Sequence, residues 1–244
     1  MAKNTDKSIP VKLSSSVDVS TAASVYRKLG RVHMPDILSS QSVKQLVESL
    51  SQDIPWKLHF NSSGNVYDLE PAQFEALPDS GKKSLTDAIH ANARSNFQYL
   101  FENFPVSDMY ESGYFKQHYV MRVYEFLNSE RFLSFARELT GNADIRLVDA
   151  QLTRYQPGHF LTCHDDHVPG KNRVAAYVLG LTDNWRPDWG GALNFVDGDG
   201  HIAEGYMPRL NALNVFKVPQ LHSVGCVAPF AGSPRISVSG WFRT

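Results

Sequence analysis

After Gly141 the chain breaks into short apolar or alternating runs separated by Gly, Pro, Asp and Asn, and this texture limits its fold more than any other feature. Such runs, rich in β-branched and aromatic side chains and bounded by turn formers, read as strands. They cover 146–155, 159–166, 173–181, 192–196, 201–206, 212–218, 223–228 and 235–242. A set of short antiparallel strands this regular suggests a double-sheet jelly roll, which can hold a site in its mouth. The Asp197-Gly-Asp-Gly200 segment between two of them lacks the ligand order of a calcium loop and reads as a tight hairpin turn.

Upstream the pattern is mainly helical. Residues 1–25, rich in Ser, Thr, Lys and Asp, read as a mobile arm, and 26–34 as a short strand ended by Pro35-Asp36. An amphipathic helix follows, carrying Val43, Leu46, Val47 and Leu50. Residues 53–79 read as a long loop holding Trp56, Phe60, Tyr67 and Phe74, either a lid or a packed cover. Ile89, Ala93, Phe97, Leu100, Phe101 and Phe104 recur at helical spacing and predict a helix over 84–104. Another is expected over 111–127, and a third between the N-cap Ser129 and the stop Gly141. The expected class is α+β: a single domain over 26–244, with 26–145 as helical support and lid and 146–244 as the jelly-roll core.

Composition narrows the partners. The 244 residues are 42% hydrophobic and 20% charged, enough apolar material for a sizeable core. A net charge of −1 gives no global basic footprint, so neither nucleic acid nor an anionic membrane is expected as a partner, and oligomeric state is left open. The first ten residues have no signal-peptide core, so a cytoplasmic location is expected. The two cysteines, Cys163 and Cys226, are too few for a disulfide framework and are expected as free thiols.

The chemistry concentrates in Thr153-Arg-Tyr-Gln-Pro-Gly-His-Phe-Leu-Thr-Cys-His164-Asp165-Asp166-His167. In a strand, residues two apart share a face, so His164 and Asp166 point together and Asp165 points away. Imidazole plus carboxylate is two thirds of a 2-His-1-carboxylate triad, the set that holds ferrous iron with open coordination positions. Of the later histidines, His201 follows a hairpin glycine, whereas His222 opens an apolar strand near the barrel mouth and is the preferred third ligand. On the last strand Arg235, Ser237, Ser239 and Trp241 share one face, and Ile236, Val238 and Phe242 the other. An arginine on an inward polar face makes sense beside an anionic ligand, whose carboxylate a planar guanidinium fork fits.

The order His164-x-Asp166, His222, Arg235-x-Ser237 resembles the iron(II)- and 2-oxoglutarate-dependent oxygenases, whose core is a double-stranded β-helix of jelly-roll type. Cys163-His-Asp-Asp166, Trp189-Gly-Gly191 and Arg235-Ile-Ser-Val-Ser-Gly-Trp-Phe242 resemble the prolyl-hydroxylase branch, especially the catalytic domain of ribosomal-protein prolyl hydroxylases. The resemblance is clearest over 154–242. It implies that His164, Asp166 and His222 bind Fe(II), and that Arg235 with Ser237 grips the distal carboxylate of 2-oxoglutarate. It also places Tyr155 facing the cosubstrate and Arg173 near the substrate entrance. The implied reaction uses O2, converts 2-oxoglutarate to succinate and CO2, and hydroxylates a C–H bond, foremost of a prolyl residue in a protein or peptide substrate. A free amino acid or other small molecule is the alternative substrate, and a non-catalytic jelly-roll binding module the alternative class. Two departures stand out. A family tyrosine on the third core strand has no counterpart, Tyr177 falling earlier, and family members carry a second domain after Gly-Trp-Phe, whereas this sequence stops at Thr244.

Overall fold

Helix α1 (Val19–Leu29) begins where the Asp18 carboxylate accepts from the Thr21 amide and ends at Gly30, φ 70°. The capping oxygen satisfies an amide that the helix leaves unpaired, and glycine takes the left-handed angle with no Cβ to clash. The computed structural model describes residues 10–62 and 64–244. Within it, residues 10–25 are packed and are not an arm: Val11 is buried, Leu13 bridges to Leu38, and Ala22 and Ala23 face the core. Residues 1–9, the rest of the expected arm, lie outside the described residues. Because α1 runs on to Leu29, the expected strand from Tyr26 shrinks to β1 (Arg31–Met34).

Helix α2 (Ser40–Ser49) buries Leu46 but leaves Val47 exposed. The expected loop over 53–79 is instead a hairpin, β2 (Lys57–Ser62) and β3 (Asn65–Leu69), followed by the short helix α3 (Pro71–Glu75). Ser63 lies outside the described residues. The expected 84–104 helix divides into α4 (Asp79–Ala93) and strand β4 (Tyr99–Phe104). A strand buried on both faces has apolar residues throughout, so Leu100, Phe101 and Phe104 satisfy helical spacing without forming a helix. Helices α5 (Val106–Glu111) and α6 (Met121–Leu127) replace the expected 111–127 helix, which Gly113 and Phe115 interrupt at positive φ. Helix α7 (Glu130–Thr140) forms as expected, capped by Ser129 and ended by Gly141.

The second half supplies β5 (Leu147–Val148), β6 (Gln151–Tyr155), β7 (Phe160–His164), β8 (Arg173–Gly180), β9 (Leu193–Val196), β10 (Ile202–Tyr206), β11 (Leu213–Lys217), β12 (His222–Val224) and β13 (Arg235–Arg243). Among the described residues the hydrogen-bonded order is β1-β11-β8-β13-β6-β4-β7-β12-β9-β10, all antiparallel, with β2 added beside β4. Strand β4 pairs with both β6 and β7, so the network turns there, and the larger sheet faces the smaller β7-β12-β9-β10 sheet in a nearly closed jelly roll. The helices cover the outside of the larger sheet. Phe132, Phe135 and Leu139 of α7 share one core with Val148, Leu152, Val238 and Phe242, and the Phe132 ring meets Phe242 edge-on at 6.0 Å. The 197–200 segment is the expected β9–β10 turn, with the Asp197 amide donating to the His201 carbonyl.

His159, in the β6–β7 turn, is buried, and its Nδ1 has no partner among the described residues. Burial pushes its pKa down to about 4. An imidazole that is harder to protonate folded than unfolded makes the unfolded state bind the extra proton. Stability is therefore full above pH about 6.5 and falls as pH drops through the window from about 6.5 to about 4, by about 3 kcal/mol in total. His159→Phe should flatten that slope in urea titrations repeated across the window. Ser129→Ala removes the α7 cap and should lower stability by about 1 kcal/mol, read as a shift in urea midpoint at constant m value.

Candidate active site

His164 ends β7, His222 begins β12, and the two are directly opposed in the antiparallel register. Opposed residues in such a pair present their side chains to the same face. Their rings lie 4.1 Å apart, centroid to centroid. Asp166 joins them by a different route from the one expected, because β7 stops two residues before it and strand alternation no longer applies. A left-handed backbone, φ 63°, swings its carboxylate back, so that Oδ1 lies 3.3 Å from His164 Nε2 and Oδ2 3.4 Å from His222 Nε2. Aspartate tolerates this conformation better than most residues. Arg173 holds it there: Nη1 donates to the Asp166 carbonyl at 3.0 Å, and the guanidinium lies 3.5 Å above the centre of the Trp241 ring. Asp165 and His167 are exposed, with Asp165 accepting from the His167 amide.

The hydrogen bonds of the two rings decide what the cluster presents. His164 Nδ1 lies 3.0 Å from the Thr162 carbonyl and His222 Nδ1 2.8 Å from the Gln220 carbonyl. A carbonyl can only accept, so each Nδ1 carries a proton and each Nε2 is the ring nitrogen that faces Asp166. Burial, followed by the nearby His164, pushes the His222 pKa down to about 4, which keeps that ring neutral at physiological pH. The ligand atoms lie within 4.8 Å of one another. Imidazoles oriented through Nδ1 by backbone carbonyls, with both Nε2 atoms converging beside a carboxylate, form a donor set that fits a divalent metal ion.

Across the same cavity, Arg235 is only 4% exposed and pairs in register with Tyr155, its guanidinium carbon 5.0 Å from the Tyr155 ring centre. Burial lowers its pKa, and the one opposing influence is Tyr155; among the described residues no carboxylate neutralises it. Ser237, next on that face, lies opposite Thr153 with the two hydroxyl oxygens 2.9 Å apart. The Trp189-Gly-Gly191 motif packs behind the arginine: a Cβ on Gly190 would lie 2.3 Å from the Cys226 carbonyl oxygen, and one on Gly191 3.3 Å from Arg235 Cδ. Tyr177 is turned away, stacked on Phe242 in the helical core with its hydroxyl donating to the Asp149 carbonyl.

His164, Asp166, His222, Tyr155, Arg173, Arg235 and Ser237 thus line one cavity of about 650 Å³. Its other wall was hidden in the segments read as loop and helix. There His59 stacks on Tyr99 at 4.8 Å, Phe101 on Tyr155 at 5.1 Å, and Phe97 meets His164 at 5.2 Å. Tyr99–Phe104 is buried on both faces, so its apolar run carries no alternation that would reveal this wall, and the helical spacing of the same residues masks it.

Residues 150–243 match the 2OG-Fe(II) oxygenase superfamily. The chain is 32% identical over 120 residues to prolyl 3-hydroxylase OGFOD1 of Mus musculus, covering 46% of this chain and 22% of that protein. It is 33% identical over 121 residues to the Xenopus laevis protein of the same name, covering 47% and 23%. The chain thus spans less than a quarter of the length of these curated relatives. Among solved structures, a Trichoplax adhaerens prolyl hydroxylase in complex with a hypoxia inducible factor peptide fragment superposes with a TM-score of 0.60 at 11% identity, covering 92% and 88% of the two chains. A 2OG-Fe(II) oxygenase family oxidoreductase from Burkholderia pseudomallei gives 0.60 at 14%, covering 93% and 92%. These two likenesses establish the fold. Among the described residues no helix is long and apolar enough to cross a membrane.

Arg173→Leu keeps bulk on Trp241 but removes the donor to the Asp166 carbonyl. Stability should drop by about 1–3 kcal/mol in urea denaturation, and Arg173→Lys, without the planar stack, should recover only part of it.

Proposed function

We propose, from the match of residues 150–243 to the 2OG-Fe(II) oxygenase superfamily, that the protein hydroxylates a prolyl residue of a protein substrate, converting 2-oxoglutarate and O2 to succinate and CO2. The observation that carries this reading is one cavity holding a metal-competent His-Asp-His cluster and, across from it, a buried arginine with no counter-ion among the described residues. In it, His164, Asp166 and His222 hold Fe(II). When bound, Fe(II) with O2 and 2-oxoglutarate supplies the oxidising power for C–H hydroxylation.

The chain's own groups position the reactants. Arg235 offers a planar pair of donors to the distal carboxylate of 2-oxoglutarate, and the Ser237 hydroxyl adds a third. Burial raises the Tyr155 pKa, so its phenol stays protonated and remains available to donate to the cosubstrate. Arg173 has one Nη committed to the Asp166 carbonyl, and its other Nη suits a substrate carbonyl at the entrance. The wall formed by His59, Phe97, Tyr99 and Phe101 limits water at the reacting carbon.

A polypeptide suits the mouth better than a free amino acid. Val66, Phe97 and Val168 line it at 62%, 46% and 40% exposure, an apolar rim that an enclosed small-molecule pocket would bury. The peptide bound to the Trichoplax adhaerens hydroxylase supports the same choice. We assign 26–244, together with the packed residues 10–25, to one oxygenase domain. The exposed free thiols Cys163 and Cys226 suit a reducing compartment, and the reading places the protein in the cytoplasm.

A screen of proteome-derived peptides with Fe(II) and 2-oxoglutarate, read by mass spectrometry, should return a single added oxygen on proline-containing peptides. Hits confined to peptides without proline would overturn the prolyl assignment. His222→Ala should weaken Mn(II) binding roughly a hundredfold or more in calorimetry, since even outer partners of metal ligands are worth 10–100-fold. Arg235→Met should leave Mn(II) affinity intact and lower 2-oxoglutarate affinity by more than about tenfold; unchanged 2-oxoglutarate affinity would remove the arginine from the site.

A further inference from the structure

The cavity wall does not end at the metal cluster. Cross-strand partners present their side chains to one face, and two neighbouring rows run outward from the cavity on the face that lines it. One joins Ser237, Thr153, Asn103 and Lys57. The other joins Arg235 to Tyr155 by register, Tyr155 to Phe101 by stacking, and Phe101 to His59 and Asp68 by register. Their inner ends line the cavity already described. Their outer ends, Asn103, Lys57 and Asp68, line a second cleft of about 830 Å³, walled on its far side by Pro105, Met109 and Tyr114. His59 Nδ1 and Asp68 Oδ1, 2.6 Å apart, form the boundary between the two.

Asn103 shows what this cleft lacks. It is 9% exposed, yet its buried Oδ1 has no hydrogen-bond partner. An amide oxygen in that state is costly unless a donor reaches it. Asp68 and Glu70 outnumber Lys57 along the cleft, which disfavours an anionic ligand. Tyr114 is 54% exposed on the opposite wall, an aromatic face with room for an apolar side chain.

We propose that this cleft is a second docking site for the polypeptide substrate, taking the extended segment that flanks the hydroxylated residue; the proposal rests on the prolyl-hydroxylase reading above. A flanking backbone N–H donates to Asn103 Oδ1, and an apolar side chain of the same segment rests on Pro105, Met109 and Tyr114. Phe101 to Asn103 and His59 to Lys57 are each one two-residue step along a strand, about 7 Å, so a flank of roughly two to four extended residues reaches from one cleft to the other. Sequence preference then sits at a set distance from the proline and not only beside it.

The test uses the whole protein loaded with Mn(II) and 2-oxoglutarate, and two random peptide pools with a central proline, about fifteen and about five residues long. Long peptides that are retained should share one apolar residue at a fixed spacing from the proline and bind at least about tenfold more tightly than five-residue cores cut from them. Tyr114→Ala, a surface change, should abolish that advantage, and Asn103→Leu should do the same. Equal affinity of long and short peptides, or an advantage that survives Tyr114→Ala, overturns the docking site and leaves the prolyl reading standing. Retention of neither pool overturns both.

Discussion

A full positive charge, placed where almost no water reaches it and opposed by no carboxylate among the described residues, is the constraint from which the rest of this structure follows. Arg235 is tolerable in that position because the cavity it faces is built for an anion, and because Tyr155 covers it with an aromatic ring. The charge is held by the strand and not by a loop. Alternation on β13 sends Ile236, Val238 and Phe242 into the helical core, and the packing of Phe242 under Phe132 thereby fixes the direction in which Arg235 points. Helices that never touch the cavity decide its polarity.

The opposite end of the cavity is complementary. Two imidazole nitrogens and a carboxylate converge there, both rings turning their Nδ1 outward onto backbone carbonyls, so one end attracts a cation while the other end is itself cationic. A ligand that chelates with one end and carries a carboxylate at the other satisfies both, and 2-oxoglutarate has that form.

Much of the site was legible because strand periodicity carries direction as well as identity. Alternation and neighbours made His222 the preferred third ligand and put Arg235 on a polar strand face, the family resemblance gave both their roles, and α7 was marked by a serine at one end and a glycine at the other. Asp166 was assigned to the correct side of the chain for a reason that does not operate, since the strand ends at His164 and a left-handed residue does the turning. The wall from β2 to β4 was illegible. Tyr99–Phe104 is buried on both faces, and without one polar face a strand and a buried helix write the same apolar run. Residues 10–25 were misread for the opposite reason, their small polar side chains concealing a capped helix that buries two alanines.

The triad also draws its members from both halves of the roll. His164 and His222 are set by the smaller sheet, whereas Asp166 is pinned by Arg173 and Trp241, which belong to β8 and β13 of the larger one. Any sliding of one sheet against the other therefore changes the carboxylate's distance from the imidazoles. An ion seated among the three is a clasp between the sheets, and its ligand field is a gauge of how far the roll has closed.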